Sequence, residues 1–229
     1  MNAIHHAVGE SILEPVISYA GCGALLLDSP EGEFNSALQR HIWSVARDLE
    51  RDVDVKGVVM GVNNLLVMFD PLMSSAGSME RRLRQRWIDP KHDTLSSSCV
   101  EIPVVYGGAA GEDLTMLAQA AELSIADWVT LQSEAVYEVA CIGSMPGFAY
   151  LTGLPAKLTH PRRSTPRNRL DKGSVIIGAS QAGVMPCTAP SGWHVVGRTD
   201  VEMFNVLLTQ PCLLKPGDTV RFVAREVLA

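Results

Sequence analysis

Four arginines, Arg162, Arg163, Arg167 and Arg169, fall within eight consecutive positions and are interleaved with Pro161 and Pro166. A guanidinium is a planar fork that gives carboxylate or phosphate two parallel charge-assisted hydrogen bonds. The prolines remove backbone freedom, so less entropy is lost when such a loop takes a ligand. In the same stretch, Gly143, Gly147 and Gly153 let backbone N–H groups come close to a bound molecule. Phe148, Tyr150 and Trp193 supply material for an apolar wall. Gln181 carries an amide that both donates and accepts, which suits an amide-like ligand. Together these residues predict a site for a small anionic molecule in Gly143–Thr199. The alternative is structural: the same arginines pair with Asp171, Asp200 and Glu202 and tie loops together.

His160 and His194 are the acid–base candidates of this stretch. Ser144 and Ser191 sit beside glycines, but neither lies in G-x-S-x-G, so no activated nucleophile is indicated. No G-x-x-x-x-G-K-[ST] run marks a phosphate loop. The six histidines show no metal-ligand spacing, and a metal site is not expected. The five cysteines are scattered, odd in number and free of C-x-x-C, so they read as small apolar fillers. The chemistry of the single chain is incomplete, which points to a site shared with another subunit.

The elements that must position these residues follow from periodicity and turn chemistry. Pro15–Asp28 reads as a strand pair broken at Gly21 and Gly23. Asn35–Glu50 is helical, because Leu38, Ile42, Val45 and Leu49 recur on one face. Val55–Met60 and Leu65–Phe69 flank the hairpin signal Gly61-Val62-Asn63-Asn64. Ser78–Trp87 is a second helix, and its Arg81, Arg82, Arg84 and Arg86 form either a basic contact surface or a solvated face. This pattern predicts an α+β domain over residues 1–90, with residues 1–14 loosely packed and a polar linker at 89–98. Residues 99–229 predict a β-barrel domain. Its expected strands are Val100–Tyr106, Ala135–Ile142, Ser174–Ile177, Val184–Met185, Trp193–Val196 and Val220–Val223. Helices are expected at Leu114–Ala121, capped by Asp113, at Ser124–Ser133, and briefly at Phe204–Leu208.

The chain has 229 residues, 47% of them hydrophobic and 19% charged, enough for one large or two modest cores. A net charge of -6 argues against a general nucleic-acid binder. No apolar run is long enough to span a bilayer, and the first residues lack a signal-peptide pattern, so a cytoplasmic location is expected.

Several motifs resemble the allophanate hydrolase subunit 1 family. They are Ile102–Gly108, Gly111–Leu114, Pro146–Leu151, Pro161-Arg162-Arg163, Pro166-Arg167, Gly173-Ser174-Val175, Gly192-Trp193, Gly197-Arg198-Thr199 and Pro216-Gly217-Asp218. That family includes the B-type component of bacterial 5-oxoprolinase, the sporulation-kinase inhibitor KipI and half of the carboxyltransferase domain of urea carboxylase. The resemblance implies an α+β N-terminal domain followed by an all-β cyclophilin-like barrel. It implies a subunit 2-type partner, in an assembly such as a heterotetramer, and an ATP-dependent opening of a cyclic amide such as 5-oxoproline. ATP is implied for the complex. The alternatives are a KipI-like kinase inhibitor and a urea-carboxylase-type carboxyltransferase subunit. Under the resemblance, Phe148, Arg163, Arg167, Gln181, Trp193 and Arg198 would bind substrate. The chain departs from the family pattern at Gln132, Ser144, Ala182, Met185 and Ser191, which implies a retained shape with altered ligand contacts.

Overall fold

The computed structural model describes residues 14–29, 34–89 and 97–228. The start, expected to be loosely packed, and most of the expected linker lie outside the described residues. The chain divides into two compact units, residues 1–94 and 95–229.

The first unit is an antiparallel sheet in the order β1-β2-β4-β3 with two helices. Its strands are β1 (Val16–Tyr19), β2 (Ala24–Asp28), β3 (Val55–Met60) and β4 (Asn64–Phe69). Helix α1 (Ser36–Leu49) starts where the Asn35 side chain accepts the Leu38 N–H at 3.0 Å. Helix α2 (Ala76–Ile88) is capped by Ser75 and starts two residues earlier than its apolar stripe suggests. The expected α1 face is buried with Leu25, Leu27, Leu65 and Val67 of the sheet and Met79, Leu83 and Trp87 of α2. Each such side chain contributes about 1.5–3 kcal/mol on burial. Three of the four α2 arginines are paired with carboxylates, which argues against a basic surface. Arg82 makes a fork with Asp54, Arg86 reaches Asp48 and Asp52, and Arg84 pairs with Glu80. The Arg82 bonds, with that of Ser74, pull the Asp54 carboxyl down to about 2.

The second unit contains a closed barrel in the order β10-β7-β6-β13-β5-β12-β9. These strands are β5 (Cys99–Gly107), β6 (Tyr137–Ile142), β7 (Ala149–Thr152), β9 (Ser174–Gly178), β10 (Gln181–Val184), β12 (His194–Arg198) and β13 (Thr219–Leu228). A separate ribbon pairs β8 (Arg167–Leu170) with β11 (Ala189–Ser191). The pair β5–β13 is parallel, and its register brings Val223 opposite Pro103. On its other edge β5 is met by β12 only at Val105 and Tyr106, so Pro103 has no ladder partner on that side. Ile102, Val104, Val139, Leu151, Val175, Ile177, Val196 and Phe222 fill the core. The unit is mainly β but not all-β, since α3 (Leu114–Ala120) and α4 (Ile125–Glu134) pack Leu114, Leu117 and Trp128 against that core. No described helix is long and apolar enough to cross a membrane.

Two local expectations are corrected. Phe204–Leu208 is not helical: the Asn205 side chain takes the Leu207 N–H, and the Asn205 N–H is spent on the Pro211 carbonyl. Of the cysteines, only Cys141 is a buried filler, its thiol pushed up to about 12 by burial, while Cys22, Cys99 and Cys187 are exposed.

Candidate functional site

The loops of the second unit enclose a cavity of about 310 Å³, the low end of small-molecule sites. Three segments supply most of it, and Tyr150, Met185 and Pro190 complete the lining. The β6–β7 loop brings Ser144, Met145 and Phe148, the arginine–proline loop brings Arg162, Arg163 and Pro166, and the approach to β12 brings Ser191, Gly192 and Trp193. The β6–β7 loop is shaped by positive φ at Ser144 (65°) and Gly147 (80°), which a glycine adopts freely and a serine rarely. The Arg163 N–H donates to the Gly192 carbonyl at 2.8 Å and ties the second segment to the third.

The wall is aromatic. Phe148, Tyr150 and Trp193 meet edge to face, with centroids 5.0–6.1 Å apart. Over Trp193 lies the Arg162 guanidinium, 5.4 Å from the ring centroid, a cation–π contact. Among the described residues no carboxylate pairs with Arg162. Of the two guanidinium groups that line the cavity, it is the one with charge left to offer a ligand.

Arg162 is not among the residues expected to bind substrate; of the three arginines that are, Arg163 and Arg167 are committed to carboxylates. Arg167 makes a fork with Asp113, both bonds 2.9 Å, and also reaches Glu112 at 3.1 Å. Arg163 donates to the same Asp113 carboxylate at 3.3 Å. Asp113 additionally accepts the Val195 N–H at 2.7 Å. It therefore does not cap α3 with its side chain, as its position suggests; it neutralises the arginine loop. Burial pushes its carboxyl up, but the Arg167 bonds, the Val195 N–H and the nearby positive charge outweigh that and hold it below the usual carboxylate range. Asp113 is the important residue that sequence reasoning missed. The structural alternative holds for Arg169, which pairs with Asp171, while Glu202 pairs with Lys172.

The remaining candidates are dispersed. His160 and His194 stack edge to face at 5.0 Å, and neither lines the cavity. His194 donates from Nε2 to the Pro161 carbonyl at 2.9 Å, so it braces the arginine loop. Burial, and then the charge of His194, lowers the pKa of His160. Gln181 opens β10 opposite Gly178 and does not line the cavity. Arg198 lies in a separate polar cleft of about 130 Å³ with Glu112, Arg169 and Asp171. Phe148, Arg163 and Trp193 are the three predicted binding residues that the fold brings to one cavity. Ser144, Met185 and Ser191, three departures from the family pattern, line it as well. Among the described residues no group of His, Cys, Asp and Glu converges as a metal site.

Gly178 sets the depth of this wall. A Cβ there would sit 2.6–2.8 Å from three atoms of the Trp193 indole. Gly178→Ala is expected to displace the indole, shift tryptophan emission and cost about 1–3 kcal/mol by overpacking. Gly77→Ala, which meets nothing within 4 Å, is the control in the same fluorescence and thermal-unfolding measurement.

The second unit contains a closed barrel whose loops form a cavity of small-molecule size. The family model described as carboxyltransferase domain, subdomain C and D, matches residues 15–214, and the chain belongs to that family. The resemblance drawn from its motifs is thereby confirmed. The chain is 39% identical over 189 residues to the B-type component of 5-oxoprolinase from Haemophilus influenzae, covering 82% of this chain and 88% of the relative. The crystal structure of TTHA0988 superposes with a TM-score of 0.77 at 30% identity, covering 89% of this chain. The match spans only 40% of that longer protein. The urea amidolyase of K. lactis, at 18% identity and a TM-score of 0.80, shares the fold over 98% of this chain and 16% of its own.

Proposed function

We propose that this chain is the B-type component of a 5-oxoprolinase-type complex, working with a subunit 2-type partner to open a small cyclic amide with ATP. The observation that carries the reading is the unpaired Arg162 guanidinium lying over an aromatic wall in a cavity of small-molecule size. 5-Oxoproline has matching parts: a carboxylate for Arg162 and a compact ring for the faces of Phe148 and Trp193. The name borne by the Haemophilus influenzae relative supports the same substrate class. The barrel is read as cyclophilin-like. The net reaction adds water across the lactam C–N bond, giving glutamate, and is coupled to hydrolysis of ATP to ADP and phosphate.

On this chain the residues bind and orient. Arg162 fixes the carboxylate, the aromatic wall excludes water from one ring face, and Asp113 holds Arg163 in place behind it. The cavity offers one unpaired guanidinium, no lysine and no glycine-rich phosphate loop. These residues do not fit a nucleoside triphosphate, and ATP is assigned to the complex. The test is ATP hydrolysis by the co-purified subunit pair with and without 5-oxoproline. Stimulation by 5-oxoproline is expected; an unchanged rate overturns the substrate. A carboxyltransferase role is the second reading, favoured by the family model's description. Transfer of a carboxyl group from carboxybiotin to a urea-like acceptor would be seen only under that reading.

A further inference from the structure

Val206, Leu207 and Leu208 are the only three consecutive large apolar side chains exposed together among the described residues, at 73%, 90% and 57%. Such a display is disfavoured in water unless something covers it. The loop that carries it is fixed rather than slack. The Asn205 N–H donates to the Pro211 carbonyl at 2.8 Å, the Leu213 N–H to the Met203 carbonyl at 3.0 Å, and Phe204 bridges Cys212. The Asn205 side chain accepts the Leu207 N–H and donates to Glu202. An apolar tip on a pre-ordered base loses little entropy on binding, the property of a docking anchor.

The base of this loop adjoins the cavity. A Cβ on Gly147 would lie 2.6 Å from the Phe204 Cβ and 2.9 Å from the Met203 carbonyl oxygen, so the loop packs directly behind the β6–β7 segment. What covers the tip is indicated by chain lengths. In TTHA0988 the matched region is 40% of one chain, so further protein is covalently joined to it. The Haemophilus influenzae relative is matched over 88% of its length and carries almost nothing more. Under the partner-dependent reading above, protein that is fused in one relative reaches this unit as a separate chain in the other. A separate chain needs a surface that holds without a covalent tie.

We propose that the Met203–Leu213 loop is the docking site of the partner chain, with Val206, Leu207 and Leu208 entering an apolar groove on it beside the cavity. The inference rests on the partner-dependent reading above. It is tested by affinity between purified wild-type or variant chain and the subunit 2-type protein encoded in the same genome. The variants are V206S/L207S/L208S and the single L207K, with L72S/M73S as an exposed control in the first unit. Binding at least 100-fold weaker for both loop variants, with control affinity and unfolding temperatures unchanged, is the expected result. Loop variants that bind like wild type overturn the docking site and leave the partner reading standing. Wild type that binds no partner overturns both. A loop that instead mediates self-association, lost in the variants while partner binding persists, also overturns it.

Discussion

Asp113→Asn is expected to be among the most damaging single substitutions in the second unit. The change keeps the shape and removes one negative charge. Arg163 and Arg167 would then face a neutral amide, whose NH₂ meets either a guanidinium or the Val195 N–H, donor against donor. Breaking a buried pair by losing one partner costs several kcal/mol. Arg163 is 31% exposed and keeps part of its hydration, so about 3 kcal/mol is expected. That corresponds to a fall in melting temperature of roughly 6–12 °C for a chain of this size. The pH dependence carries the same signature. The folded carboxyl titrates below its ordinary value, so its stabilisation is fully present above about pH 4 and is lost as pH falls through the lower folded value. Asp54 acts in the same direction, between its ordinary 3.8 and about 2. Thermal unfolding of wild type should therefore decline below pH 4, and the decline should be shallower for Asp113→Asn, which has one such carboxylate fewer.

Arg162→Ala has the opposite profile. Its guanidinium lies over Trp193 and pairs with no described carboxylate, so its removal should leave the melting temperature within about 2 °C of wild type. Its loss should be felt by the ligand. A charge-assisted pair to a carboxylate contributes about 1.5–3 kcal/mol, so KM for 5-oxoproline in the complex should rise roughly 10- to 150-fold. Arg162→Lys should recover only part of this, because an ammonium keeps the charge and loses the fork. Steady-state ATP hydrolysis against 5-oxoproline concentration measures both variants. A wild-type KM for Arg162→Ala would remove Arg162 from the site.

The contrast between these residues shows where sequence reasoning stops. Helix α1 of the first unit is legible, since Leu38, Ile42, Val45 and Leu49 repeat with the helical period and Asn35 caps it. The extent of the barrel is less so. Strands β7, β8 and β11 have three or four residues among prolines and glycines, too few for alternation to register, and periodicity does not pick them out. At the site, residue types point to the correct stretch. Phe148, Arg163 and Trp193 do meet in one cavity. The division of labour between Arg162 and Arg163 is not readable, because adjacent side chains on an open loop diverge and the decisive partner lies 50 residues upstream. Asp113 reads locally as a helix cap. Only the return of β12 to β5 and α3 brings the Val195 N–H onto its carboxylate. Arg198 and Gln181, attractive by type, are carried away from the cavity by the strands they sit on.

The central claim is that the ligand's carboxylate rests on Arg162 above Trp193. A crystal structure of the subunit pair grown with 5-oxoproline tests it most directly. The account predicts the carboxylate within hydrogen-bond distance of the Arg162 guanidinium and the ring against Phe148 and Trp193. Density for the ligand in the Arg198 cleft, or on the partner alone with this cavity empty, would contradict it.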